Sequence, residues 1–305
     1  MMNFAEFVSE VKSSILGYLP EEYADVNVST NEVNKNNGLV LTGLIIPSLK
    51  SNVTPNIYLD DFYSKYEDGE SVEDICREIA DVRIKHEAPS FDVESVTEWE
   101  NVKDRICPRL INAASNASIL AQRPSRLIED LAITYCINLG SNENGSMSIL
   151  VTNQFMEDWG VTEEVLYATG KANLKTLTPA SFKSMKEVMI EMMGTPAGEM
   201  EDMIDMMPDN GMYVLTNEQK MNGASVIIDE DVLNNIQTKL GEGFYIIPSS
   251  IHEVLVIPES MGMGIEEMNC MINEVNTTQV GEQDVLSDHV YYYGSEKILQ
   301  IPNAA

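Results

Sequence analysis

The sequence predicts an α+β protein, made of antiparallel β-hairpins with packed helices and divided into two domains. Short runs of β-branched and apolar residues recur in pairs around turn-forming residues, as hairpins require. Between them lie stretches whose apolar residues repeat at three- and four-residue spacing, the helical period. At 305 residues and 44% apolar composition, the chain is long enough for two cores. We place an N-terminal α+β domain over 1–100 and a C-terminal α+β domain over 101–305. The second carries a Met-rich helical insert at about 181–212. Charge is unevenly placed: residues 1–100 hold 7 basic and 20 acidic side chains, 101–180 hold 7 and 8, and 181–305 hold 5 and 21, a nearly neutral middle between two acidic flanks that is compatible with a domain seam there.

Phe4, Phe7, Val8, Val11, Ile15 and Leu16 predict an amphipathic helix over 3–18, ended by Gly17 and Pro20. A strand over 26–33 and another over 39–46 flank Asn34–Gly38, where Asn37-Gly38 suits positive φ. Residues 56–59 read as a short strand. Asp60 or Asp61 then caps a helix over 62–66, and Ser71-Val72-Glu73-Asp74 opens a longer one to about residue 85. The acidic segment 86–100 is a connector.

Residues 127–138 read as one buried strand, with a hairpin partner at 146–151. Helices follow from Thr152 and Thr162, and Ser181 caps another bearing Met185, Val188, Met189 and Met192. Residues 212–216 and 225–228 are predicted strands. Asp229–Leu240 is a helix with acids at its positive end and Gly241 at its stop. Phe244–Ile247 and Val254–Ile257 form a strand–turn–strand, 265–275 a helix, and 289–293 with 298–301 a last hairpin.

Nineteen Lys and Arg against 49 Asp and Glu give a net charge of −30, a field that repels nucleic-acid phosphates and anionic membranes. No run approaches the roughly 20 apolar residues of a membrane span. The N-terminus has neither the basic region nor the apolar run of a signal peptide, which points to a cytoplasmic protein. Cys76, Cys107, Cys136 and Cys270 are far apart and contain no CxxC. Each reads as a small buried hydrophobe, so neither a disulfide framework nor a zinc site is expected.

Three features carry chemistry. The first is the polar insert 249–253, where Ser249, Ser250, His252 and Glu253 supply nucleophile, base and carboxylate types in a chain with three histidines. Asp288-His289 adds a second acid–base pair. A local triad is disfavoured because in extended chain Ser250 and His252 share a face while Glu253 points away, and no G-x-S-x-G elbow exists. The plainer reading is a tight turn whose hydroxyls bond backbone amides. No H-E-x-x-H or phosphate-binding pattern exists, so neither metal nor cofactor is implied.

The second is a cluster of four of the six arginines, Arg105, Arg109, Arg123 and Arg126. Such a cluster can grip a carboxylate or phosphate, but the overall charge favours pairing with acids of the flanks. The third is the methionine-rich run 185–212, read as filler of an irregular helical segment or as an adaptable groove.

Six stretches together resemble an uncharacterised bacterial family: Asn3–Val8, Ile57–Tyr63, Asp130–Tyr135, Met212–Asn217, Ile247–Val254 and Val285–Tyr291. The resemblance spans almost the whole chain. It implies a cytoplasmic protein of anaerobic gut Firmicutes and carries no activity or catalytic residue. Acidity, the Met-rich run and the lack of a catalytic motif favour a non-enzymatic protein that binds a partner with a basic or apolar surface. Alternatives are a Ser/His-dependent hydrolase centred on 249–253 and an acidic nucleic-acid mimic. The candidate binding residues are Ser249, Ser250, His252, Glu253, Asp288, His289, Arg105 and Arg109.

Overall fold

The computed structural model describes residues 1–86, 90–142, 145–193, 211–297 and 299–302. The chain packs as two compact units, Met1–Glu94 and Ser95–Ala305. Both are α+β, and every sheet is antiparallel.

In the first unit, helix α1 (Phe4–Ser14) starts with a capping box: the Asn3 side chain accepts from the Glu6 amide, and the Glu6 carboxylate accepts from the Asn3 amide. A 3-10 turn carries it on through Ile15–Tyr18. Strands β1 (Ser29–Asn34), β2 (Val40–Ile45) and β3 (Ile57–Tyr58) form one sheet in that order. Asn37 (φ 61°) and Gly38 (φ 76°) turn the first hairpin.

Helix α2 (Leu59–Glu67) begins earlier than predicted, with Tyr58 at its N-cap position. Asp60 does not cap it; its carboxylate instead accepts from the Thr42 amide at 2.8 Å, tying the helix to β2. Ser71 does cap α3 (Val72–Lys85), accepting from the Asp74 amide. The apolar stripes of these helices bury Phe7, Val11, Ile15, Leu59, Ile75 and Ile79 against Leu44 and Ile46.

The second unit holds two sheets. After a short helix α4 (Trp99–Val102), β4 (Ile106–Asn112) pairs along one edge of the long strand β6 (Leu131–Asn142). The other edge takes β5 (Arg126–Ile128) and then β7 (Gly145–Leu150). Residues 127–138, read from sequence as one strand, are split by a two-residue turn at Glu129-Asp130, where Glu129 takes φ 52°. Helices α5 (Ala117–Leu120), α6 (Asn153–Trp159) and α7 (Glu163–Leu177) complete this half.

The second sheet has the order β13-β12-β10-β11-β9-β8. Its strands are β8 (Ala180–Ser184), β9 (Tyr213–Asn217), β10 (Phe244–Ile247), β11 (Val254–Pro258), β12 (Tyr291–Tyr293) and β13 (Leu299–Gln300). Two predictions fail here. Ser181 lies inside β8, and Ser184 caps α8 (Met185–Met193) by accepting from the Glu187 amide. Residues 225–228 belong to a buried 3-10 turn, Gly223–Ile228, rather than a strand. Of the Met-rich insert, 194–210 lie outside the described residues.

Helix α9 (Glu230–Leu240) has Asp229 as its cap and Gly241 as its stop. Helix α10 (Ile265–Thr278) lays Met268 and Ile272 on Tyr245, Ile247, Leu255 and Ile257. The opposite sheet face, with Phe244, Ile246, Val254, Val256, Tyr291 and Tyr293, is also buried. A sheet covered on both faces reads as continuous apolar runs rather than alternation, which explains the FYII and VLVI sequences. Among the described residues no helix is long and apolar enough to cross a membrane.

Asp130, at the β5–β6 turn, joins the two sheets. Its carboxylate accepts from Ser287 Oγ at 2.6 Å and from Tyr291 Oη at 2.5 Å, and lies 3.3 Å from His289 Nδ1. Ser287 and Tyr291 are buried, so losing the acceptor strands two desolvated hydroxyls. Asp130→Ala is expected to lower the free energy of unfolding by about 3 kcal/mol in urea titration, and Tyr291→Phe by about 1–2 kcal/mol. An Asp130→Ala chain as stable as wild type contradicts this junction.

Candidate functional site

The site grows from the register of β4 against β6. Ile106, Pro108 and Leu110 point to one face of the sheet, and Cys107 and Arg109 to the other. Pro108 is tolerated because β4 is an edge strand. Helix α7 covers the first face so closely that a Cβ on Gly170 would lie 3.3 Å from Pro108 Cδ and 3.5 Å from Ile106 Cγ2. The second face looks into a cavity of about 450 Å³. Residues 176–178 and the loop from Asn217 to Ser225 supply the facing wall.

Among the described residues no Asp or Glu lines this cavity, although the chain holds 49 of them. Arg105 and Arg109 do. Backbone carbonyls of Ser95 and Asn101 accept from Arg105 Nη2 at 2.8 and 2.9 Å and fix its guanidinium. Arg109 reaches across β6 to donate to Ser148 Oγ on β7 at 2.7 Å. Arg123 lies close enough that burial, and then the Arg109 charge, draw its guanidinium below the ordinary value. Among the described residues none of these three has a carboxylate partner. The expected pairing with acids of the flanks is not seen among the described residues; Arg126 instead meets Glu163 of the middle segment at 2.7 Å and stacks over Tyr167.

Cys107 and Cys136 stand directly opposite each other on β4 and β6, and both line the cavity. The hydrogen bond from the Cys107 thiol, then the nearby Arg109, draw the Cys136 thiol down against the effect of burial. That same bond and burial push the Cys107 thiol up. The expectation of four buried cysteines fails for Cys270, which is exposed.

The facing loop is held by the 249–253 turn. Thr216 Oγ1 donates to the His252 carbonyl at 2.7 Å, and the Ala224 amide to the Ile251 carbonyl at 3.1 Å. Asn222, at φ 51°, donates its amide to His252 Nδ1 at 3.2 Å. With Nδ1 accepting, the ring hydrogen is assigned to Nε2, which lies 3.4 Å from Asp284. His252 thus positions the cavity wall from behind.

The remaining candidates lie away from the cavity lining. The Ser249 amide donates to the Ile247 carbonyl, and Ser250 Oγ accepts from the His252 backbone amide. Glu253 is half-buried on the same turn. Asp288 accepts from Asn276 Nδ2 at 2.8 Å, and His289 sits half exposed beside Asp130. Among the described residues neither imidazole bonds to a serine hydroxyl. No group of three or more His, Cys, Asp or Glu is arranged to hold a metal ion among them. Sequence reasoning missed the Cys107–Cys136 apposition, since nothing local fixes which strand pairs with β4.

A protein-family model matches residues 4–295. The chain belongs to the family of unknown function DUF5688. No curated protein and no solved structure matches it. Within the DUF5688 segment, the stretches that carried the resemblance meet in pairs. Asp130–Tyr135 touches Val285–Tyr291 at the Asp130 junction, and Met212–Asn217 touches Ile247–Val254 at Thr216 and His252.

Gly223 is the tightest point of that second meeting. A Cβ there would lie 2.1 Å from Thr216 Oγ1 and 2.4 Å from the His252 carbonyl. Gly223→Ala therefore forces the 217–225 loop off β9. The expected result is a stability loss of about 2 kcal/mol and faster amide hydrogen exchange over 217–225. Unchanged protection there contradicts the role given to this glycine.

Proposed function

We propose that the second unit of this DUF5688 protein is a binding module for a small anionic ligand, held between Arg105 and Arg109. The observation that carries the reading is the company these arginines keep. Acids outnumber bases 49 to 19 in the chain, yet two of its six arginines line a cavity with no carboxylate among its described lining residues, and a third, Arg123, lies near Arg109. Burial and then the Arg109 charge disfavour the charged Arg123 guanidinium, and an anion bound at Arg109 offsets that repulsion. The guanidinium fork of Arg109 has donors beyond the one spent on Ser148, and the fork geometry suits a carboxylate or phosphate. The acidic exterior repels anions at long range, so entry is slow at low ionic strength and quicker when salt screens the field.

The test is isothermal titration with inorganic phosphate and with succinate. Binding of either is expected, weakened about tenfold or more in Arg109→Gln through loss of a charge-assisted hydrogen bond. Arg77→Gln, the same charge change at an arginine paired with Glu73 and Asp74 on the first unit, leaves it unchanged. No binding, or equal weakening in both variants, contradicts the reading.

The acidity also supports a second reading, a protein partner with a basic surface. Among the described residues Asp229 is the single buried acid, so most of their carboxylates are at least partly exposed to solvent. A basic protein that co-purifies at low salt and is released at high salt supports this reading, and recovery of none counts against it.

A further inference from the structure

The two cavity thiols have no part in holding an anion, and their placement is unusual for buried cysteines. They are register partners across β4 and β6, on the cavity-facing side. Opposed residues in antiparallel strands have Cα atoms about 4.5–5.5 Å apart, inside the span of about 4.4–6.8 Å that a disulfide bridges. The bond can therefore form with little backbone movement. Arg109, two residues along the same face of β4, places a permanent positive charge beside Cys136 and favours its thiolate. Cys107 Sγ lies 3.9 Å from Thr178 Oγ1 and also interacts with the Cys136 thiol. Cys76, buried in the first unit, and the exposed Cys270 have no such arrangement.

We propose that Cys136 and Cys107 form a redox dithiol that exchanges with an anionic low-molecular-weight disulfide bound in the cavity by Arg109 and Arg105. The proposal rests on the anion-binding reading and specifies its ligand class. Cys136 Sγ attacks one sulfur of the ligand; the ligand S–S bond breaks, and one half leaves as a thiolate. A mixed disulfide between Cys136 and the other half remains. Cys107 gives up its proton and attacks Cys136 Sγ, forming the Cys107–Cys136 bond and expelling the second half. One ligand disulfide is reduced to two thiols, and two protein thiols are oxidised to one disulfide. The two protons lost by the protein are taken up by the departing thiolates. Arg109 has two parts, as a grip on the ligand's carboxylate and as the charge that activates Cys136.

The test uses the full chain with Cys270→Ser, which removes the exposed thiol, and one equivalent of dithiobis(nitrobenzoate), a disulfide bearing two carboxylates. Release of two nitrothiobenzoates per chain is expected, with a protein mass lower by two hydrogens. Peptide mapping should then find Cys107 joined to Cys136. Cys107→Ala is expected to stop at one release and retain the adduct on Cys136. Arg109→Gln should slow the reaction with this reagent about tenfold relative to the neutral dithiodipyridine, the loss of one charge-assisted hydrogen bond. If Cys107→Ala does not fold, the peptide map of the Cys270→Ser chain decides alone. Unreactive cavity thiols, or an adduct on Cys136 with no internal disulfide, overturns the proposal. Phosphate or succinate binding that survives such a failure leaves the anion reading standing, and loss of both removes it too.

Discussion

The antiparallel ladder from Ile106↔Ile137 to Asn112↔Leu131 is the constraint on which the candidate site depends. It assigns alternate residues of β4 to two environments. Ile106, Pro108 and Leu110 go under α7, where Gly170 lets the helix come close, and Cys107 and Arg109 go to the cavity. A slip of one residue would put an arginine beneath the helix and turn Ile106 and Leu110 toward the cavity. Packing of an apolar face therefore fixes the chemistry of the opposite one. The same ladder brings Cys107 against Cys136 and lets Arg109 span β6 to reach Ser148.

Opposite that sheet, the cavity wall depends on hydrogen bonds rather than apolar burial. Thr216, Asn222 and Gly223 are fixed to the 249–253 turn through the carbonyl and ring of His252. This gives the histidine a positioning role that explains its company: an acceptor nitrogen facing a backbone amide, and a donor nitrogen facing Asp284. Asp130 does comparable work at the other end of the unit, satisfying buried hydroxyls of Ser287 and Tyr291. A chain so acidic can place carboxylates where buried donors need acceptors, so their absence among the described residues lining the arginine cavity is a property of the site and not of composition.

Much of the fold was legible because its signals are local. Ser71 with Asp74, Asn37 with Gly38, and the acids and the glycine at the two ends of α9 each act on their immediate neighbours, and each does what its chemistry predicts. The misreadings arose where tertiary context decides. Residues 127–138 look like one strand because apolar residues flank a turn whose positive φ falls on Glu129, a residue type without turn signature. Residues 225–228 look like a strand because burial, which the 3-10 turn also has, was the sole signal. The arginines of 105–126 were visible as a cluster, but which of them meets an acid is settled by pairings of long sequence separation, such as Arg126 with Glu163. The thiol pair was illegible for the same reason: Cys107 and Cys136 are joined by strand register, which no local pattern encodes.

The central claim is that an anion sits between Arg105 and Arg109. Crystals of the protein soaked in selenate, a phosphate-like ion with a strong anomalous signal, test it directly. The account predicts an anomalous peak inside the cavity, within hydrogen-bonding distance of Arg109 and of Arg105. Peaks confined to surface lysines, with the cavity holding none, would contradict it.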